Sequence, residues 1–369
     1  MLLGVWLLYL AFGLNVGALA PLVPVIEADL GLSHSAMGRV LGAWQFVFII
    51  AAIPCGILPD QLGSRWAMLG GVLLIGVSAF WRSIADDEIS LLLAVGIFGL
   101  GGPIVSTGAP KVISAWFDGK QRGLAMGIYV TGPGIGTMVS LLLTNPVLLP
   151  VLDHDWRQVL RLWGCFTLVA ALVWYLISTR LGETPKDRGQ SHTISLGLFE
   201  LLRQPVVRLL LVMSIGVFAI NHGLGNWLPE LLRAGGRTIT QASSLAALMV
   251  FVAILSALTI PRLATRQYRL VVLFMLCLCT VCATLLLRLP TGLPLIAGLI
   301  FQGIASGSMM TVMMLILVET PGIGERRAGT AGGLYFSAAE IGGVGGPVML
   351  GAVYDATGGF GAGLATLSF

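Results

Sequence analysis

The stretch Gly56-Ile-Leu-Pro-Asp60-Gln-Leu-Gly63-Ser-Arg65 is a polar interruption between two long apolar runs, Ala36–Leu58 and Trp66–Phe80. Pro59 and Gly63 break helices, and Asp60 and Arg65 are costly in hydrocarbon. The ten residues therefore read as a tight hinge loop at a membrane face, joining two spanning helices.

Composition points the same way. Of the 369 residues, 56% are hydrophobic and 10% charged, against about a quarter charged in soluble domains. This is the composition of an all-α, multi-pass membrane protein. The net charge of +4 does not mark a nucleic-acid partner, because such a chain keeps its cations in the loops that orient it. The five cysteines lie in apolar runs without His or acidic neighbours and read as core thiols, so no metal or cofactor is expected. The first run, Leu2–Ile26, lacks a basic flank and exceeds signal-peptide length, which makes it a retained span.

At about 20 apolar residues per crossing, spans fall near 2–26, 36–58, 66–84, 89–117, 123–145, 157–179, 208–232, 241–260, 270–288, 292–318 and 328–353. A twelfth begins after Asp355-Ala-Thr-Gly-Gly359 but stops at Phe369, so it is expected to be truncated. With the amino terminus cytoplasmic, Arg65, Lys120, Arg122 and most other cations fall inside. Arg39, Arg82, Arg157, Arg161, Arg233, Arg237 and Arg288 fall outside, as the positive-inside rule requires. The polar stretch Thr179–Gln204 divides residues 1–179, a six-helix half, from residues 208–369, with a cytoplasmic linker at 180–207. Within the linker, Leu196–Leu202 reads as a surface-lying amphipathic segment or a plain solvated loop.

The chain repeats itself. A shift of 206 residues brings Asn15-Val-Gly17 onto Asn221-His-Gly223, and Gly123-Leu-Ala-Met-Gly127-Ile-Tyr129 onto Gly329-Thr-Ala-Gly-Gly333-Leu-Tyr335. Two distant stretches sharing one offset make a duplicated six-helix unit.

Gly56, Leu58, Asp60, Gly63 and Arg65 also match the loop between helices 2 and 3 of the major facilitator superfamily, Gly-x-Leu-x-Asp-Arg-x-Gly-Arg-Arg, with departures at Gln61 and Ser64. The chain thus resembles that family. The resemblance implies two parallel halves rocking about a central cavity, lined by helices 1, 4, 7 and 10 with help from 2, 5, 8 and 11. It also implies a cytoplasmic latch of Gly56, Asp60, Gly63, Arg65 and Arg122, with Glu319 and Arg262 or Arg266 as its counterpart in the second half.

Polar groups on those helices are the candidate site, since buried polarity in a membrane marks a pathway or a partner. For substrate these are Asn15, Gln45, Lys111, Tyr129, Thr131, Asn221, Asn226, Gln302, Tyr335 and Ser337. Lys111 either holds an anion or snorkels to the surface. Glu340 and His222 are candidates to carry a proton; the alternative for each is a plain hydrogen-bonded core group. The glycines of Gly132-Pro-Gly134-Ile-Gly136 and Gly342-Gly-Val-Gly345-Gly346 present bare faces for close helix packing.

Asn226-Trp-Leu-Pro-Glu-Leu-Leu and Ala-Pro-Leu-Val-Pro24 are similar to the cyanate permease and nitroimidazole transporter group. Trp116-Phe to Gly127 is similar to monocarboxylate and oxalate carriers. Both resemblances imply a small anion, moved with protons by alternating access; a drug or apolar-metabolite exporter and a non-transporting sensor are the alternatives. No His-Glu-x-x-His, Gly-x-Ser-x-Gly or phosphate loop is present, so no enzyme is expected. The expected partners are a small solute, protons and the lipid bilayer, with the protein a monomer in a bacterial plasma membrane.

Overall fold

The computed structural model describes residues 1–180, 201–289, 291–320 and 323–367. Side chains at positions 53, 56, 57, 60, 120, 180 and 324–330 fall outside the description. The amphipathic stretch expected at 196–202 and most of the linker therefore lie outside the described residues.

The described chain is helical. α1 runs Leu2–Gly17 and continues through a 3-10 turn at Ala20–Leu22 into Val23–Leu30; α2 is His34–Leu62, α3 Ser64–Arg82, α4 Glu88–Trp116, α5 Gly119–Leu143 and α6 Trp156–Arg180. After the linker come α7 (Pro205–Ala234), α8 (Ile239–Leu263), α9 (Arg269–Leu286), α10 (Gly292–Val318), α11 (Gly324–Thr357) and the short α12 (Phe360–Thr366). Eleven of these are long and apolar enough to cross a bilayer.

One expectation is corrected at the start. The hinge loop proposed for 56–65 shrinks to a single residue, because α2 runs through Pro54 and Pro59 to Leu62 and only Gly63, at φ 83°, turns the chain. An internal proline removes one backbone hydrogen bond but leaves the rest of a packed helix intact, whereas a left-handed φ favours glycine. The loops at the other end of the bundle are fixed by side-chain caps: Ser33 accepts from Ala36 N, and Asp87 with Ser90 and Thr238 with Gln241 form reciprocal boxes.

The two sets of six helices use the same pairings. α1 packs on α5, α2 and α3 on α4, and α3 on α6; likewise α7 packs on α11, α8 and α9 on α10, and α9 on α12. Glycine sets these contacts. A Cβ on Gly13 would strike the Pro133 carbonyl, and one on Gly136 the Leu10 carbonyl. Gly342, 206 residues after Gly136, meets the Ile215 carbonyl in the same way, and Gly346 meets Ala219. Without a hydrophobic drive between helices in lipid, such backbone-to-backbone approach is what holds a pair together.

The sets meet each other along α2·α11 and α5·α8. Among the described residues, close contacts across the seam gather toward the end away from the linker: Gly38 on Pro347, Gly42 on Val344, Gly351 on His34, and Asn145 Nδ2 donating to Ser243 Oγ at 2.6 Å. Toward the linker end, the repeat mates Gly127 and Gly333 face open space. Among the described residues, these contacts close the bundle at the end away from the linker.

Arg82 corrects a second expectation. Placed by sequence among the loop cations, it is only 2% exposed, with Nη1 donating to the Asn15 carbonyl at 3.1 Å and the guanidinium 5.4 Å from the Phe98 ring centre. α1 breaks just after Gly17, leaving late carbonyls without helical partners. A guanidinium at that carboxyl-terminal end satisfies one of them and opposes the helix dipole.

Candidate functional site

Where α2, α7 and α11 cross, three polar side chains converge. Gln45 of α2 is fully buried, and its Nε2 lies 3.3 Å from His222 Nδ1 on α7. With Nδ1 accepting from the amide, the ring proton sits on Nε2, which lies 3.9 Å from Glu340 Oε2 on α11. Glu340 is 4% exposed. The seam between the two sets of helices therefore runs between Gln45 and His222.

Glycine makes the space. Gly343 lies one turn after Glu340, and a Cβ there would collide with Glu340 Oε2 and crowd Gln45 and His222. Trp44 and Phe218 close on the imidazole with ring centres at 5.5 and 5.4 Å. Next to His222 in sequence, Asn221 points its Oδ1 to α10 and accepts from Gln302 Nε2 at 3.2 Å. Asn226 Nδ2 donates to the His222 carbonyl at 2.8 Å, one turn along α7. The acceptors Gln45 Oε1, Gln302 Oε1 and Glu340 Oε2 are buried with no hydrogen-bond partner among the described residues. Buried acceptors of this kind call for a donor.

Other expected site residues are spent elsewhere. Asn15 turns into its own half, where Nδ2 donates to Thr167 Oγ1 and to the Ala11 carbonyl, each at 2.8 Å. Thr131 accepts from Trp6 Nε1 at 3.1 Å and donates to the Ile128 carbonyl. Tyr335 is fully buried, its hydroxyl toward Met313 Sδ. Tyr129 is buried edge-on against Tyr9, centres 5.1 Å apart. Ser337 is half-buried on α11. Lys111 is half-buried near the linker end of α4 and is already engaged by a neighbouring group.

The expected latch is redistributed. The side chain of Asp60, and Gly56 with it, lie outside the described residues. Arg65 sits over Trp66 and near Tyr175 of α6, at 4.8 and 5.8 Å from the ring centres. Arg122 donates to the Phe117 and Ser114 carbonyls and to Asp118 within its own loop. Glu319 pairs with Arg269 at 2.6 Å, in place of the expected Arg262 or Arg266, because α9 begins at Arg269, whose side chain reaches the end of α10. The hydrogen bond from Arg269 holds the Glu319 carboxyl below its usual range.

The residue missed from sequence is Gly343 in its site role; its spacing of three from Glu340 was the available signal. A lateral groove of about 480 Å³ between α2, α4 and α11 is lined by Ala43, Phe46, Leu93, Ile97 and Val348, with Arg39 as its polar member. Its chemistry suits acyl chains and sets it apart from the central cluster.

The sequence profile of the Major Facilitator Superfamily matches residues 5–347. A probable nitrate transporter, NarT, of Staphylococcus carnosus is 30% identical over 159 residues, 43% of this chain and 40% of that one. A probable L-galactonate transporter of Escherichia coli K12 is 25% identical over 248 residues, 61% of this chain and 52% of that one. The matched stretches thus span about half or less of those relatives. Among solved structures, the nucleoside transporter NupG superposes with a TM-score of 0.82 at 15% identity, covering 100% of this chain and 98% of that one. That likeness is one of fold.

Proposed function

The chain belongs to the major facilitator superfamily, whose members here are transporters and not enzymes, and on that premise we propose that it is a proton-coupled secondary carrier of a small organic or inorganic anion. The observation that carries the reading is the Gln45–His222–Glu340 cluster, with Gln45 and Glu340 buried and His222 part-exposed, divided by the seam between two six-helix halves, residues 1–179 and 208–369. Relatives named for nitrate and L-galactonate, both anions, support the substrate class.

The physics follows from charge. An anion brought beside Glu340 meets a buried carboxyl, so its entry is favoured when that carboxyl, or the imidazole beside it, holds a proton. Amide groups of Gln45, Asn221, Asn226 and Gln302 supply donors that orient the anion without fixed charge, and Lys111 supplies a cation toward the linker side. Rocking of the halves about the Gln45–His222 contact then exposes the cluster to one side at a time. With the linker cytoplasmic, in a bacterial plasma membrane, the conformation described here faces inward. At that face Gly56, Asp60, Gly63, Arg65 and Arg122, with Glu319 on the other half, form the latch that must close when the far end opens. The carrier works as a monomer.

The test is a thermal-shift series on the purified protein with nitrate, small carboxylates, sugar acids and apolar cations, at pH 5.5 and 7.5, repeated for His222→Gln and Lys111→Gln. Anion-specific stabilisation, stronger at acid pH and lost in His222→Gln, is the expected result. Stabilisation by apolar cations alone would replace this reading with an exporter.

A further inference from the structure

A second polar cluster lies at the closed end and belongs to neither the central site nor the latch. His34, at the start of α2, is stacked flat between Tyr354 of α11 and Trp227 of α7, with centres 3.8 and 5.2 Å away and planes within 4° and 7°. Its Nδ1 lies 3.4 Å from Glu27 Oε1 on α1, and its Nε2 lies 4.0 Å from Glu230 Oε1 on α7. Glu230 is 1% exposed and is held by Arg233 through two bonds of 2.7 and 2.5 Å. Asp355 of α11 accepts from the backbone N–H of His34 and Ser35, at 3.2 and 2.8 Å, capping α2 from the other half. Glu27 Oε1 and His34 Nε2 are buried without a hydrogen-bond partner among the described residues.

We propose that the closed end is a proton-binding site, in which closure of the seam takes up one proton shared between Glu27 and His34. Glu27 and His34 come from the first half, and Glu230, Arg233, Tyr354 and Asp355 from the second. Closure therefore gathers three carboxyl groups around one guanidinium and one imidazole. With the carboxyls ionised and the ring neutral, negative charge is in excess around the covered Glu27, His34 and Glu230 side chains, with Asp355 and Arg233 at the exposed rim. One added proton relieves that excess in either of two arrangements: a Glu27 carboxyl donating to His34 Nδ1, or an imidazolium facing Glu27 and Glu230 across the seam.

Parting the halves separates Glu27 from Glu230 and Asp355, and the demand for the proton falls. The sign follows by linkage: a state that binds a proton more tightly gains population as pH falls and loses it as pH rises. Acid on the closed-end side thus favours closure there and opening at the linker end. The central cluster is not required for this response.

Hydrogen–deuterium exchange of the full chain in lipid nanodiscs at pH 5.5 and 7.5, scaled to intrinsic rates, reads the seam directly through the backbone amides of Ser33–Arg39. In the native chain these should exchange about tenfold more slowly at the lower pH. Glu27→Gln should be protected at both values, with less than about a twofold change. Asp355→Asn retains the capping oxygen but removes one charge, and should move the midpoint to lower pH. Glu340→Gln should keep the native response, since its proton is a different one. A full tenfold response in Glu27→Gln, an unshifted midpoint in Asp355→Asn, or a response abolished by Glu340→Gln would each overturn the proposal.

Discussion

Glu340 and His222 stand 206 residues after Gly134 and Val16, so one half of the molecule carries titratable groups where the other carries none. The backbone around these positions is nonetheless alike: Gly136 and Gly342 are repeat mates, and both press on a neighbouring helix carbonyl. The first half spends Asn15 on Thr167 and Arg82, and Trp6 on Thr131, and sends the neutral amides of Gln45 and Asn145 across the seam. The second half turns His222 and Glu340 toward the seam. Duplication has preserved the packing, while the titratable members of the central cluster sit on one side of it.

Substitutions at mated positions test that asymmetry. The largest expected effect is on transport: Glu340→Gln should lower proteoliposome uptake by tenfold or more, about 1.4 kcal/mol of barrier for each decade, and flatten its pH dependence. Gly134→Ala, which touches only the Ile254 side chain, should leave the pH dependence in place. Uptake by Glu340→Gln with native pH dependence would break the comparison.

The packing should respond symmetrically. Gly136→Ala and Gly342→Ala each force a methyl against backbone and should each cost about 1–3 kcal/mol, read as matching losses of melting temperature. Gly127→Ala and Gly333→Ala face open space and should lose nothing, gaining up to about 1 kcal/mol of helix propensity. Arg82 and its mate Arg288 sharpen the point. Arg82→Gln removes a buried charged cap and should destabilise by about 1–3 kcal/mol, whereas exposed Arg288→Gln should stay within about 0.5 kcal/mol. Smallest is Glu319→Gln. Its carboxyl is depressed by Arg269, so the pairing is present at neutral pH and lost as pH falls through that lowered value. Arg269 is largely covered and Glu319 part-exposed, and the unfolding curve of the variant should lie slightly below the native one at pH 7 and approach it as pH falls.

Much of the fold was legible because crossing a bilayer imposes length and apolarity, and because the 206-residue offset repeats glycines as well as polar residues. Gln45, His222 and Glu340 were legible as intramembrane polar groups. Which face each occupies was not. Asn15 and Tyr335 sit on helices next to the seam but are rotated into their own halves, and a near-uniformly apolar helix gives no periodicity from which to read rotation. Arg82 was misplaced because a break in α1 creates its partner, and that break leaves only Pro21 and Pro24 as a trace. The closed-end cluster was invisible for another reason: Glu27, His34, Glu230 and Asp355 look like ordinary loop-edge residues until four helix ends are brought together.

That break in α1 has a mechanical corollary. Its first piece is bolted to α5 through Gly13 and Gly136, the 3-10 turn packs on α7, and the last piece, which carries Glu27, packs on the start of α2. Asn145 steadies the joint by donating to the Pro21 carbonyl at 3.2 Å. An elbow at this depth gives the eight-residue tip a joint of its own, distinct from the shaft behind it, in addition to the seam about which the halves rock.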